Sequence, residues 1–194
     1  AACVNFIGHA GSRSESLMFP SPDIDELNNR NAYPFISSMT CHTGRFAEPD
    51  DDCFGEYFLM KEGRGAIGFL GTSGWGYSYE DFLMLKKLFP TALQDTVRYL
   101  GDLITETKIK MWESYGLTPH IRNMILQYTY LGDPASRLAI PTRPDLALPN
   151  SGIQVEPLTP TQADSFATVN VTAENWGLAT TDSTVVQLNI EPRE

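Results

Sequence analysis

One histidine and one cysteine are the residues of this chain best placed to do chemistry. His9 follows an apolar, strand-like run at residues 2–7 and sits within Gly8-His9-Ala10-Gly11-Ser12. Cys41 follows a second such run, at residues 33–40, and leads into His42-Thr43-Gly44-Arg45-Phe46. Each stands where a strand pattern gives way to a glycine-containing loop. In open α/β sheets, ligands bind at the carboxyl ends of parallel strands. Two such ends lying side by side bring an imidazole to a thiol from which it is distant in sequence. The imidazole then assists formation of the thiolate, and the thiolate is the attacking species. Spacing alone leaves a plainer alternative open, with Cys41 a small buried hydrophobe and His9 a hydrogen-bonded strand-end residue.

The elements that must position this pair can be read along the chain. Residues 12–32 are polar, and Ser21-Pro22-Asp23 has the pattern of a helix start, which predicts a short helix over 23–29 closed by Asn28 to Asn31. The connection from His9 to Cys41 is then loop, helix and strand, a crossover between parallel strands. Apolar residues at helical spacing over 54–61, with Gly63 beyond, predict a capped helix. Residues 65–73 read as the next core strand and its loop. Residues 79–89 read as a helix stopped by Pro90, 91–115 as one long helix, and 119–127 as a further helix. Asp133, in Gly132-Asp133-Pro134, reads as a structural turn residue. His42 and His120 read as non-catalytic.

Two loops at the same end of the sheet have a composition that asks for a reason. Glu48-Pro49-Asp50-Asp51-Asp52 is acidic. It is either a solvated turn or a calcium site, since hard cations take clustered oxygens, although the spacing is not that of an EF-hand. In the loop 71–79, Gly71, Gly74 and Gly76 alternate with Trp75, Tyr77 and Tyr79 and run up to Ser78. Such a loop can pass close to a substrate backbone, or its aromatics can pack on neighbouring loops. It is not a phosphate loop, because neither glycine pattern of nucleotide sites is present. A zinc site from His9, Cys41, His42 and Cys53 has no supporting ligand spacing.

Residues 3 to 141 resemble the catalytic domain of the gingipain-like cysteine peptidases, the C25 family. The matching phrases come in the family's order: Gly8-His9, then Thr40-Cys41 with Thr43-Gly44-Arg45-Phe46, then Cys53-Phe54-Gly55-Glu56. Gly65-Ala66-Ile67-Gly68-Phe69-Leu70-Gly71-Thr72-Ser73 and Leu131-Gly132-Asp133-Pro134-Ala135-Ser136 complete the set. The resemblance implies a caspase-like three-layer α/β sandwich with a mainly parallel sheet. It makes His9 the general base and Cys41 the nucleophile. It gives the backbone N–H groups of Cys41 and of Ala10 or Gly11 to the oxyanion, and the loop carrying Gly74, Trp75, Gly76, Tyr77 and Ser78 to the substrate pocket. Many members have glycine directly after the histidine, where this chain has Ala10. Alanine also carries an N–H, so it serves if its backbone does not require glycine. Glu15 is a further candidate to line the cleft. Peptide hydrolysis of this kind requires no cofactor, and calcium at Asp50, Asp51 and Asp52 would be structural. The family domain has about as much chain again before the histidine-bearing strand, including the acidic residue that selects a basic substrate side chain. That portion is expected as a partner.

Composition sets the outer bounds. The chain has 194 residues, 42% hydrophobic and 20% charged, which is ordinary for globular protein and enough for one domain or slightly more. A net charge of −10 argues against a nucleic-acid partner, whose phosphates need Lys and Arg. No apolar stretch is long enough to span a bilayer. Three cysteines, Cys3, Cys41 and Cys53, are an odd number and make a disulfide framework a poor reading. Both ends look cut. Residues 142–152 are proline-rich and read as a linker. Alternating runs at 153–155, 168–174 and 184–190, with the turn Asn175-Trp176-Gly177, read as the start of an immunoglobulin-like β-sandwich over 153–194, too short for the full set of strands. Asn170-Val171-Thr172 matches a glycosylation sequon, which the bacterial origin implied by the resemblance makes a chance match. The expectation is a secreted or surface-exposed bacterial cysteine endopeptidase acting on protein or peptide. The alternatives are a non-enzymatic surface or assembly protein on the same scaffold, or a transpeptidase that passes its acyl group to an amine.

Overall fold

The computed structural model describes residues 3–15, 19–94, 97–141, 143–161, 163–181 and 183–187, in two compact units, Ala1–Ile140 and Pro141–Glu194. The first unit is built on a four-stranded sheet. Its strands are β1 (Cys3–Ile7), β4 (Phe35–Met39), β5 (Gly68–Thr72) and β6 (Tyr128–Gly132), side by side in that order. The short strands β2 (Ser14–Glu15) and β3 (Phe19–Pro20) form a separate hairpin before β4. β1, β4 and β5 run parallel, and β6 is antiparallel to β5 at the edge.

Side-chain alternation along β4 splits the core into two layers. Phe35 and Met39, with Leu70 of β5, face α2 (Ser78–Leu93), α3 (Leu100–Tyr115) and α4 (Pro119–Gln127). Ile36 and Phe69 face the other way, toward α1 (Phe54–Met60) and a 3-10 turn at Ser21–Glu26. On that side Phe54, Phe58 and Phe69 meet ring to ring, with centroids 5.1 to 6.0 Å apart. Each such buried ring contributes about 1.5–3 kcal/mol from its removal from water. The result is a three-layer α/β sandwich with a mainly parallel sheet.

Several helix expectations change in detail. The helix expected over 23–29 is the 3-10 turn at Ser21–Glu26, with Pro22 in its first turn. The stop expected at Pro90 does not occur, and α2 runs on to Leu93. Proline there removes a donor from the ladder, but Thr91 and Ala92 are buried and Gln94 N–H donates to the Pro90 carbonyl at 2.8 Å. The single helix expected over 91–115 therefore divides. Tyr99 is extended and bridges Arg137, and Leu100 N–H donates to the Ser136 carbonyl, so α3 starts only at Leu100. α4 matches its expected span, with the Thr118 hydroxyl accepting from Ile121 N–H at 3.3 Å.

β1 is the other edge of the sheet, and among the described residues no strand pairs with its outer side. Val4 is 44% and Ile7 46% exposed. An apolar cleft of about 530 Å³ opens beside it, lined among others by Val4, Phe6, Phe19, Leu27 and Phe58.

In the second unit, β7 (Leu146–Ala147) pairs with β10 (Glu174–Asn175), and β8 (Ile153–Glu156) with β9 (Thr168–Val171). β7 falls inside the stretch expected as linker. The Asn175 side-chain carbonyl accepts from Gly177 N–H at 3.0 Å, which makes Asn175-Trp176-Gly177 a turn closed by its own side chain. Of the strand expected over 184–190, residues 184–187 are not in a strand and 188–190 lie outside the described residues. None of the described residues of this unit is buried. Among the described residues, the part of the chain expected to begin an immunoglobulin-like sandwich forms two separate strand pairs. Among the described residues no helix is long and apolar enough to cross a membrane.

Candidate active site

The parallel pairing of β1 with β4 sets the site. Cys3 stands opposite Phe35 and Ile7 opposite Met39, and Gly8 N–H donates to the Met39 carbonyl at 3.4 Å beyond the last strand pair. His9 and Cys41 are each two residues past that last pair. Both therefore lie just beyond the same end of the β1–β4 pair. His9 is exposed, and its ring has no hydrogen-bond partner among the described residues.

Cys41 is half-buried in a tight turn. The following residue, His42, has a φ of 62°, the left-handed conformation that bends the chain sharply away from the strand. Gly76 touches the sulfur twice: its N–H points at Sγ from 3.3 Å, and its carbonyl lies 3.7 Å away as an acceptor for the thiol. A thiolate can keep the first contact and must give up the second. The Cys41 N–H has no acceptor among the described residues, and neither has that of Ala10. Ala10 is not among the described non-glycine residues of positive φ, so its backbone makes no demand that alanine cannot meet. Gly11 is exposed, with open space around the position of an added Cβ.

β5 ends level with β4, and its loop comes across the site. Gly76 lies against the Thr40 carbonyl, where an added Cβ would stand 2.9 Å from the carbonyl carbon and 3.0 Å from Asp81 Oδ2. Trp75 packs edge-on to His42 with ring centroids 4.8 Å apart, and Tyr77 edge-on to His120 at 5.3 Å. Both aromatics nevertheless stay largely in solvent, at 66% and 42% exposure. They pack on neighbours and also present a surface. Ser78, the first residue of α2, is exposed.

Two features near Cys41 had no sequence signal of their own. Asp81 is buried in the first turn of α2, and its Oδ1 accepts from the Tyr128 hydroxyl at 2.6 Å. Burial raises the Asp81 pKa, an effect the hydrogen bond from Tyr128 offsets in part. Burial and the Asp81 charge push the Tyr128 phenol far above its ordinary value. The second is Thr72, whose buried hydroxyl sits among the backbone groups on either side of Cys41. An acidic residue in an amphipathic helix and a threonine at a strand end are common, so only the folded chain distinguishes them.

The acidic loop is not gathered around a centre. Asp51 is held by the Arg13 guanidinium, whose Nε donates to Oδ2 at 2.6 Å and whose second nitrogen meets Oδ1. Asp50 and Asp52 are exposed. Among the described residues no three His, Cys, Asp or Glu side chains come together as a metal site, including the four imagined for zinc. Cys53 caps α1: its N–H donates to Glu56 Oε2 at 2.8 Å, and burial pushes its thiol up to about 11. Glu15 pairs with Phe19 in the β2–β3 hairpin, and its side chain lies outside the described set.

The family model of peptidase family C25 matches residues 1–139. The chain belongs to peptidase family C25. Among solved structures, this C25 chain is similar to the Arg-specific cysteine proteinase gingipain R, with a TM-score of 0.64 and 23% identity over 76% of this chain and 36% of that one. It is also similar to a complex of the RgpB pro- and mature domains of Porphyromonas gingivalis, with a TM-score of 0.62 and 20% identity, covering 76% and 37%. A third structure, described as a protease, gives a TM-score of 0.61 at 17% identity, covering 79% and 40%. At these identities the structures establish the fold. The chain thus spans little more than a third of the length of the first two. A comparison with curated proteins finds no match.

Proposed function

We propose that this chain carries the nucleophile and the base of a secreted bacterial cysteine endopeptidase. The observation that carries this reading is the parallel β1–β4 register, which brings His9 and Cys41 to one sheet end in a member of family C25. The Cys41 thiol gives its proton to His9, and the thiolate forms a bond to the scissile carbonyl carbon. The oxyanion that develops is met by the N–H groups of Cys41 and Ala10. Protonated His9 donates to the departing amine as the C–N bond breaks, leaving a thioester. Water, deprotonated by His9, then attacks that thioester and releases the acid and the thiolate. These steps need no cofactor. The 71–79 loop lines the substrate cleft. An amine taking the place of water would make the same site a transpeptidase.

The open β1 edge and its apolar cleft are the place for the part of the domain that lies before β1 in gingipain-like chains. The same open edge also favours the second reading, a scaffold without activity when this chain stands alone. The test is labelling with a peptidyl acyloxymethyl ketone, which alkylates a thiolate placed beside a substrate cleft. The chain is compared with Cys41→Ala and His9→Ala, each with and without a preceding half-domain. Labelling of Cys41 that depends on His9 supports the peptidase. Labelling absent under both conditions, in folded protein, leaves the scaffold.

A further inference from the structure

We propose that Thr72, the last residue of β5, is the positioning residue for the nucleophile: it holds the turn at Cys41 and thereby aims its N–H and its sulfur. The inference deepens the peptidase reading and rests on it for its kinetic consequence, though not for its structural one.

Thr72 is fully buried. Its hydroxyl makes a close contact with the Thr40 carbonyl and accepts from His42 N–H at 3.1 Å. Its own backbone carbonyl accepts from Gly44 N–H at 2.9 Å. One residue therefore binds positions 40, 42 and 44, and Cys41 lies between the first two. The hydroxyl has a single proton, which goes to the Thr40 carbonyl or to the Gly74 carbonyl 3.0 Å away. In either arrangement its lone pairs remain for His42 N–H. His42 N–H also donates to the Gly74 carbonyl at 2.8 Å, so it is shared between the two acceptors.

The geometry has a direct consequence for Cys41. With residues 40 and 42 tied back to β5, the left-handed bend at His42 is fixed, and the peptide between them cannot swing to satisfy the Cys41 N–H internally. That N–H is left without an acceptor, as an oxyanion donor must be before substrate arrives. The sulfur is held where Gly76 N–H reaches it. A side chain that merely filled space at position 72 would leave the His42 N–H with the Gly74 carbonyl alone and the Thr40 carbonyl without this partner. Serine keeps the hydroxyl and loses a methyl, whereas valine keeps the shape and loses the hydroxyl.

The experiment compares Thr72→Val, Thr72→Ser and Thr72→Ala with the parent chain. The His42 amide exchange rate is followed by NMR, and the Cys41 labelling rate with the peptidyl acyloxymethyl ketone. Thr72→Val is expected to exchange the His42 amide on the order of tenfold faster, a loss comparable with one neutral hydrogen bond. Labelling should fall by about the same factor or more, with Thr72→Ser recovering most of both. On a peptide substrate the loss should appear in kcat with KM little changed, since the group acts through the oxyanion and not through substrate contact. Unchanged exchange and labelling in folded Thr72→Val overturns the proposal. So does a Thr72→Ser as impaired as Thr72→Val, which would make the methyl the important part. Should Thr72→Val fail to fold, Thr72→Ser against Thr72→Ala decides on the same criteria. A parent chain that is not labelled with or without the preceding half-domain sinks the peptidase reading, and the exchange rates still decide the role of Thr72.

Discussion

Arg13 grips Asp51 with two guanidinium nitrogens, and in doing so ties the loop that follows His9 to the loop that follows Cys41. A second bond runs in parallel, from Phe54 N–H to the Ser12 carbonyl at 2.6 Å. The chain segments that carry His9 and Cys41 are thus tied together from two sides, by the β1–β4 ladder before these residues and by this clasp after them. The Asp51 carboxylate raises the Arg13 pKa, through their hydrogen bonds first and their opposite charges second.

The clasp is exposed, so its effect is expected to be modest and sensitive to salt. Arg13→Ala should slow His9-dependent labelling of Cys41 by roughly threefold, the scale of an exposed ion pair that keeps its backbone companion. Rising salt should slow the parent toward the variant and leave the variant itself unmoved. Arg13→Asp combined with Asp51→Arg should restore much of the rate lost by either change alone. Two single changes whose losses simply add in the double variant would show that the residues act independently.

The three thiols differ in environment, and alkylation should rank them. Burial raises Cys53 to about 11, and it is held as the cap of α1. Cys3 is half-buried, and burial raises it too. Cys41 is half-buried at the mouth of the site with an N–H on its sulfur. Iodoacetamide at neutral pH should modify Cys41 first and Cys53 only on unfolding, since the thiolate is the reactive form. Mass spectrometry of partly modified chains reads the order. Modification of Cys53 as fast as Cys41 would mean that α1 opens readily in the folded state.

The sequence carried the helical side of this architecture well where periodicity was uninterrupted, as in α1 and α4. Proline was the misleading signal. Pro90 looked like a stop because propensity is local, whereas the burial of Thr91 and Ala92 that carries the helix onward is tertiary. The break before Leu100 depends on a bridge to Arg137, almost forty residues away, which no window can contain. The strand ends bearing His9 and Cys41 were legible because an apolar run and a following glycine are local features. The hydroxyl of Thr72, the Asp81–Tyr128 contact and the Arg13–Asp51 pair were not. Each joins residues separated by 30 to 47 positions in the chain.

Gly76 is the residue whose missing side chain the site uses most directly. A Cβ there would meet the Thr40 carbonyl carbon at 2.9 Å and Asp81 Oδ2 at 3.0 Å, and the first of these is backbone of the Cys41 turn. Gly76→Ala must therefore push the loop off the turn, and the N–H contact to Cys41 Sγ goes with it. The expected outcome is loss of acyloxymethyl ketone labelling by about tenfold or more, with thermal stability lowered by about 1–3 kcal/mol for the overpacking. By contrast, Gly11→Ala has open space around it and should cost little stability. Equal labelling by Gly76→Ala and the parent would mean that the loop does not need to touch the sulfur.

The buried Asp81 carboxylate makes a prediction about pH. Its pKa is raised above the ordinary 3.8, first by burial and then by Glu80, against the hydrogen bond from Tyr128. A group that binds its proton more tightly in the folded chain than in the unfolded one adds stability only while protonated. That contribution is complete below pH 3.8 and is lost as pH rises through the raised value, so ionised Asp81 is a cost at neutral pH. Asparagine keeps an oxygen to accept from the Tyr128 hydroxyl and carries no charge. Asp81→Asn should therefore melt a few degrees higher than the parent at pH 7, and the gap should close as pH falls toward 4. Paired melting curves between pH 3.5 and 8 test this. A variant less stable than the parent by the same margin at every pH would mean that the carboxylate's contacts, and not its charge, govern the site. A gap that widens toward acid would mean that Asp81 is stabilised as the anion, with Tyr128 outweighing burial.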